Sequence, residues 1–293
     1  IAEYEHCGDM NAIYIVSHDV SYTEGSRRAE CADVVIKLTR YKEVARRDKF
    51  RKQLVFADSY PPPKTAFEQA QKLKKLWMRY CLDGAQTTYL VIDVQAYGTE
   101  IAEELFKPTT DGTPSLCCVD HMRFADIEQP NALPVIYPMK AGTRGSTDVE
   151  GDMIQYAQAE FDHGYVELLT GNVLDGINAY KNLHDIKDDF ADRKIKLAYD
   201  KSEKLAQQIA NLKAEVSGLS LKEKRKSKAI QRDIWSALKY ALRMAQRLET
   251  GEKKEKYRAK SSWSSAIDAY NSQHRNSTSR KTTVSALLSN RKR

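Results

Sequence analysis

Residues 13–23 are IYIVSHDVSYT. Four apolar residues, Ile13 to Val16, run directly into Ser17, His18 and Asp19. A polar stretch containing Gly25 follows, and then a second apolar run at 31–38, CADVVIKL. The pattern predicts a buried strand that stops on an aspartate. Such a carboxylate either forms a turn or meets a cation, because a buried carboxylate without a partner is costly.

The same pattern recurs at 87–97, TTYLVIDVQAY, the most apolar strand candidate in the chain, which stops on Asp93. Between the two lie strand candidates at 32–41 (ADVVIKLTRY) and 52–60 (KQLVFADSY), the latter halted by Pro61-Pro62-Pro63. Short polar connections suit an antiparallel three-stranded meander. Residues 64–84 follow as an amphipathic helix, with Phe67, Ala70, Leu73, Leu76, Trp77 and Tyr80 at three- and four-residue spacing and Gly84 beyond its end. After Asp93, Gly98 opens a helix over 99–106. A fifth strand is predicted at 132–139 (ALPVIYPM), a helix at 149–164 and a short extended segment at 165–169.

From about residue 174 the chain reads as helical and charged. Leu205, Ile209, Leu212, Val216 and Leu219 alternate four and three apart, which predicts a helix packed on a neighbour, or a short coiled pair. The last amphipathic helix covers 228–249. Beyond Thr250 there are eleven Lys and Arg against three Asp and Glu, a local excess larger than the +7 of the whole chain. Residues 251–293 are therefore expected to form a disordered basic tail, which either clamps nucleic acid or acts as a solubilising linker. The order of three strands, helix, strand, helix, strand and helices predicts an α/β, ribonuclease H-like fold. Its mixed sheet of five or more strands is flanked by helices, with residues 1–250 forming one domain and about 185–228 a helical insertion.

Composition excludes several classes. No GxxxxGK[ST] loop, GxGxxG turn, GxSxG elbow or HExxH pair occurs among the 293 residues. Five cysteines, two of them adjacent and none in a CxxC pair, argue against a disulfide scaffold and for a reducing compartment; Cys117 and Cys118 are expected to be buried or incidental. No apolar run approaches the roughly 20 residues of a membrane span. The chain begins with Ile rather than Met, which suggests a piece of a longer protein.

In the predicted sheet, the first and fourth strands lie side by side at the centre, so Asp19 and Asp93 end as neighbours. Asp233 interrupts the apolar stripe Ile230, Ile234, Leu238, Ala241 and Leu242 of the last helix and supplies a third carboxylate. Three converging carboxylates repel one another, and all-oxygen ligation suits two Mg²⁺ or Mn²⁺ ions. Two such ions activate water against a phosphodiester. A rival third acid lies in HDIKDDFADR, at Asp188, Asp189 or Asp192; its crowded charge reads instead as a solvated face.

Three stretches, YIVSHDVSYTEGSRRAECADVVIKL, YLVIDVQAYGTEIAEEL and QRDIWSALKYAL, resemble the C-terminal nuclease domain of the tailed-bacteriophage terminase large subunit, over roughly residues 10–250. The resemblance maps the family's first motif onto Asp19 and Asp33, the second onto Asp93, Gly98 and Leu105, and the third onto Asp233, Ser236, Ala237 and Leu238. Departures are His18, where small residues are common, and Ser236, where many relatives carry a second Asp. The resemblance implies a two-metal endonuclease acting on double-stranded DNA in the host cytoplasm. Asp19 would bridge both ions, Asp93 and Asp233 would complete one each, and Asp33 would be an auxiliary ligand or a structural loop residue. The implied partners are a terminase small subunit, a portal and an N-terminal ATPase domain. Lys140 and Arg144, in MKAGTRGS, would contact the DNA backbone or form an exposed loop, and His18 is read as structural. Two alternatives stay open. One is an integrase- or resolvase-type nuclease, whose third acid is often a helical Glu; Glu100, Glu103 and Glu104 lie too near Asp93 for that role. The other is a non-catalytic DNA-binding packaging module.

Overall fold

The computed structural model describes residues 4–5, 7–9, 12–21, 29–40, 49–63, 65–81, 88–95, 97–108, 114–119, 132–139, 143–144, 147–169, 171, 173–184, 189–217 and 220–250. Within these, only the backbone is described at 143–144, 147, 179, 183–184, 189–191, 216–217 and 220. The predicted tail at 251–293, Lys140 and Asp188 lie outside the described residues, as do the side chains of Arg144 and Asp189.

The opening apolar run forms β1 (Ile13–Asp19), buried along Tyr14 to His18. It pairs antiparallel with β2 (Cys31–Arg40), which pairs antiparallel with β3 (Phe50–Tyr60). This is the predicted meander, and β3 stops at the three prolines, which cannot continue a ladder. Helix α1 (Ala66–Tyr80) starts where the Thr65 side chain accepts the Glu68 N–H, an ordinary N-cap. It returns the chain to β4 (Thr88–Asp93), which runs parallel to β1 with Tyr14 opposite Thr88 and His18 opposite Ile92. Helix α2 (Tyr97–Phe106), a short β5 (Leu116–Cys118) and β6 (Leu133–Met139) follow, with β6 parallel to both β4 and β5. Two-residue strands β7 (Thr143–Arg144) and β8 (Thr147–Asp148) pair with each other and lead into α3 (Val149–Asp162). Then β9 (Val166–Glu167) joins the free edge of β3. The resulting seven-stranded sheet has the order β5-β6-β4-β1-β2-β3-β9. Its order and its mix of antiparallel and parallel pairings make it a ribonuclease H-like α/β fold, with β1 and β4 adjacent at the centre as the sequence predicts.

Strand alternation sorts the sheet into two apolar layers. Tyr14, Val16, Val35, Leu90 and Ile92 pack against α1 and α2. Ile15, Val34, Ile36, Tyr89 and Val91 pack on the other face against α3 and α6 (Asp233–Thr250). Helix α6 lies against that face through Ile234, Ala237, Leu238, Ala241, Leu242 and Ala245, and its alanines allow a close approach of helix to strand.

Between β9 and α6 the helical expectation holds for α4 (Val173–His184) and α5 (Asp189–Ala210) and then fails. Residues 212–217 and 220–225 pair antiparallel, as β10 (Leu212–Ser217) and β11 (Ser220–Arg225), in place of the predicted continuous helix or coiled pair. Leu205 is buried in the α6 layer, but the helix ends at Ala210, and Leu212 belongs to a strand. The apparent heptad spans an element boundary. The strand pair is fastened to α6: Glu223 accepts from the Trp235 indole N–H at 2.8 Å and from Lys239 Nζ at 2.7 Å, and the Lys239–Glu223 pair is almost fully buried. Among the described residues no helix is long and apolar enough to cross a membrane.

Candidate active site

Parallel pairing of β1 with β4 sets their carboxyl ends side by side, and ligands of open α/β sheets bind outside such ends. Asp19 is the last residue of β1 and Asp93 the last of β4. By alternation both lie on the α6 face: their in-register neighbours His18 and Ile92 belong to the opposite face. Asp233 is the first residue of α6, on the helix that covers this face. The structure thus brings together the three acids the sequence singled out.

Their electrostatics follow from that placement. Asp19 makes no hydrogen bond or ion pair among the described residues. Burial pushes its carboxyl well above the ordinary aspartate range, and the charges of Asp233 and Asp93 push in the same direction, against Arg232 and Lys239. Burial also raises Asp93, opposed by the Gln95 N–H (3.0 Å) and the Tyr240 hydroxyl (3.1 Å), both donating to its carboxylate. Burial raises Asp233 as well. Its Oδ2 accepts a long bond, 3.4 Å, from the Glu30 N–H, while the Glu30 carboxylate adds repulsion and Lys204 and Arg225 offset it. Like charges gathered in a half-buried place, one of them without a hydrogen bond or ion pair among the described residues, favour either protonation or a cation.

As they stand, no three Asp, Glu, His or Cys groups among the described residues are close enough together to hold a metal ion. The donor chemistry of Asp19, Asp93 and Asp233 suits a hard divalent cation, since all three offer carboxylate oxygens and, among the described residues, none donates to Asp19.

Asp33 is not part of this cluster. It is 1% exposed and sits opposite His18 in the β1–β2 ladder, so it points to the α1 face. There its Oδ1 meets His18 Nδ1 at 2.7 Å, and Lys72 Nζ lies 3.9 Å from its Oδ2. Asp33 is thus half of a buried pair with His18 inside β2, neither beside the three acids nor in a loop. His18 Nε2 faces Gln69 Oε1 at 3.4 Å, and Gln69 donates to the Ser21 carbonyl. This network fixes the chain on either side of Asp19. Asp192, of the rival cluster, pairs with Lys181 at 2.9 Å. Cys117 and Cys118 are buried in β5.

Sequence reasoning missed four residues around the acids. Tyr240 lies two helical turns after Asp233, a spacing that puts both on one face of α6. Glu30 borders Asp233 and is held by Lys204 at 2.7 Å. Arg232 and Lys239 supply the nearby positive charge. Only the two-turn spacing from Asp233 to Tyr240 is visible in the sequence; the others depend on tertiary packing. No family model, curated protein or solved structure matches the chain.

Proposed function

We propose that the chain is a metal-dependent endonuclease that hydrolyses phosphodiesters of double-stranded DNA, acting as the nuclease part of a viral DNA-packaging terminase in the host cytoplasm. One observation carries the reading. Asp19, a carboxylate with no hydrogen bond of its own among the described residues, ends the central strand beside Asp93 and Asp233 and is raised first by burial and then by the charges of both. Asp19, Asp93 and Asp233 would hold two Mg²⁺ or Mn²⁺ ions; Asp33, on the other face, is excluded from the set. When bound, such ions lower the pKa of water and stabilise the leaving oxygen of a phosphodiester. The chain's own contribution is positional. Tyr240 and the Gln95 N–H orient Asp93, the Glu30 N–H orients Asp233, and Arg232 and Lys239 moderate the charge on Asp19. Lys140 and Arg144 are candidate DNA-backbone contacts because they follow Met139, which pairs with Asp93 at the same edge. A small subunit, a portal and an ATPase domain are the partners this reading implies.

A non-catalytic DNA-binding module is the second reading, favoured by the absence of a ready metal-holding triad among the described residues. Incubation with supercoiled plasmid in Mn²⁺, Mg²⁺ or EDTA, beside Asp93→Ala, separates the two. Metal-dependent nicking that the variant loses supports the nuclease. A DNA gel shift without cleavage in either metal supports the module.

A further inference from the structure

On the opposite face of the sheet from Asp19, α1, β3 and α5 line a half-open cavity of about 460 Å³. Helix α1 lines it with Lys72, Lys75 and Arg79, at helical spacings that share one face. Lys194 of α5 adds a fourth cation, against two acids, Asp33 and Asp58. Lys72, which covers the Tyr60 ring, lies 3.3 Å from Asp58; Asp33 holds His18 through Oδ1, while its Oδ2 is buried with no hydrogen-bond partner and has Lys72 3.9 Å away. Lys75 is exposed and meets no acid among the described residues. Arg79 stacks its guanidinium 4.8 Å over Phe56 and 5.4 Å over Tyr80, and its Nε is buried with no hydrogen-bond partner. A buried, unpaired N–H on a fixed cation is costly unless an acceptor arrives.

The remaining wall is apolar. Leu76, Phe56 and Leu197 line it, and Leu197 is 45% exposed, an open hydrophobic surface beside the cations. An anion alone would leave that wall wet, and an apolar molecule alone would leave Arg79 and Lys75 unmatched. A planar guanidinium fork backed by a lysine suits phosphate oxygens, and the volume lies in the range of small-ligand pockets. We infer that this cavity binds a small organic phosphate of mononucleotide size, with its phosphate on Arg79 and Lys75 and its organic part against Leu76 and Leu197. The site is independent of the acid cluster and goes beyond the proposed nuclease activity.

Calorimetric titration of the full chain with deoxyadenosine monophosphate, inorganic phosphate and deoxyadenosine tests the assignment. The expected result is saturable binding of the monophosphate, phosphate weaker by about tenfold, and no binding of the nucleoside. Lys75→Glu, a surface change that leaves the fold intact, weakens binding about tenfold or more, the scale of one lost charge-assisted bond. Arg79→Lys, which keeps the charge and loses the fork, also weakens it. Lys196→Glu, an exposed change on α5 outside the cavity, and Asp93→Asn, in the acid cluster, leave it unchanged. The assignment is overturned by the absence of saturable binding, by inorganic phosphate binding as well as the nucleotide, or by binding that survives Lys75→Glu. Loss in Asp93→Asn instead would place the nucleotide at the acids and overturn it equally, without deciding whether those acids cut DNA.

Discussion

The Tyr240 hydroxyl donates to Asp93 Oδ2 across 3.1 Å, joining the middle of α6 to the carboxyl end of β4. Burial raises Asp93, and this bond is one of two that oppose the rise. Tyr240→Phe removes it while keeping the ring in the core. The Asp93 carboxyl then titrates at higher pH, so the acid limb of a nuclease pH profile, which requires ionised Asp93, moves to higher pH. Loss of one hydrogen bond to a charged group is expected to cost about tenfold in rate at neutral pH. A plasmid-nicking profile against pH checks both, and a profile identical to wild type would show that Tyr240 has no positioning role.

Gly98 bears on the same carboxylate from the backbone side. A Cβ at this position would strike the Asp93 carbonyl oxygen, which is backbone and cannot swing away. The Gly98 N–H also donates to the Gln95 carbonyl. Gly98→Ala should destabilise the fold by about 1–3 kcal/mol, the usual range for forced overpacking. Because the strain falls on Asp93, cleavage should drop more than the folded fraction does. Urea unfolding and nicking measured on the same preparation distinguish the two effects.

The His18–Asp33 pair lies on the other face of the sheet, and this gives a separable prediction. His18→Ala leaves Asp33 buried with Lys72 3.9 Å away as its nearest counter-charge. Breaking a buried pair on one side costs about 3–5 kcal/mol, measurable by urea unfolding. Asp33→Asn, in contrast, should retain metal-dependent nicking wherever the protein is folded, while Asp19→Asn and Asp93→Asn abolish it. An Asp33→Asn protein that melts normally yet is inactive would return Asp33 to the site.

That contrast also marks how far the sequence could be read. Asp19 and Asp93 were legible because each ends an apolar run, and Asp233 because it breaks an amphipathic stripe. Asp33 was not legible, because its face depends on strand register. The observed ladder puts Asp33 opposite His18 and Ala32 opposite Asp19; a slip of one residue would have turned Asp33 toward Asp19. No residue between the two strands announces which register forms. The β10–β11 pair was hidden for a different reason. Leu212 and Val216 continue the four-and-three spacing of α5, and β11 is rich in Lys and Glu, so it shows little of the period-two apolar signal of a half-buried strand. Tyr240 reads as one more core aromatic until α6 is set against β4.

A last prediction concerns stability. Lys52 is fully buried beneath Glu160 at 2.5 Å and Glu249 at 2.6 Å, with Lys49 and the Tyr156 hydroxyl completing the cluster. Burial works to raise Glu249, but hydrogen bonds from Lys52, the Phe50 N–H and Lys49 outweigh it and hold the carboxyl below its ordinary range. A carboxylate depressed in the folded state contributes stability that is fully present above its unfolded pKa, about 4.3. That stability is lost as pH falls through the lower folded value. Unfolding free energy should therefore be flat, as far as this group is concerned, from neutral pH down to about 5, and then decline. Glu249→Gln leaves Lys52 with a single carboxylate and should cost about 3 kcal/mol at neutral pH, with a shallower decline below pH 4. Urea titrations of both proteins across pH 3–8 measure the two slopes. Parallel curves would mean that Glu249 titrates alike in the folded and unfolded chain and that the cluster is not what makes the fold acid-sensitive.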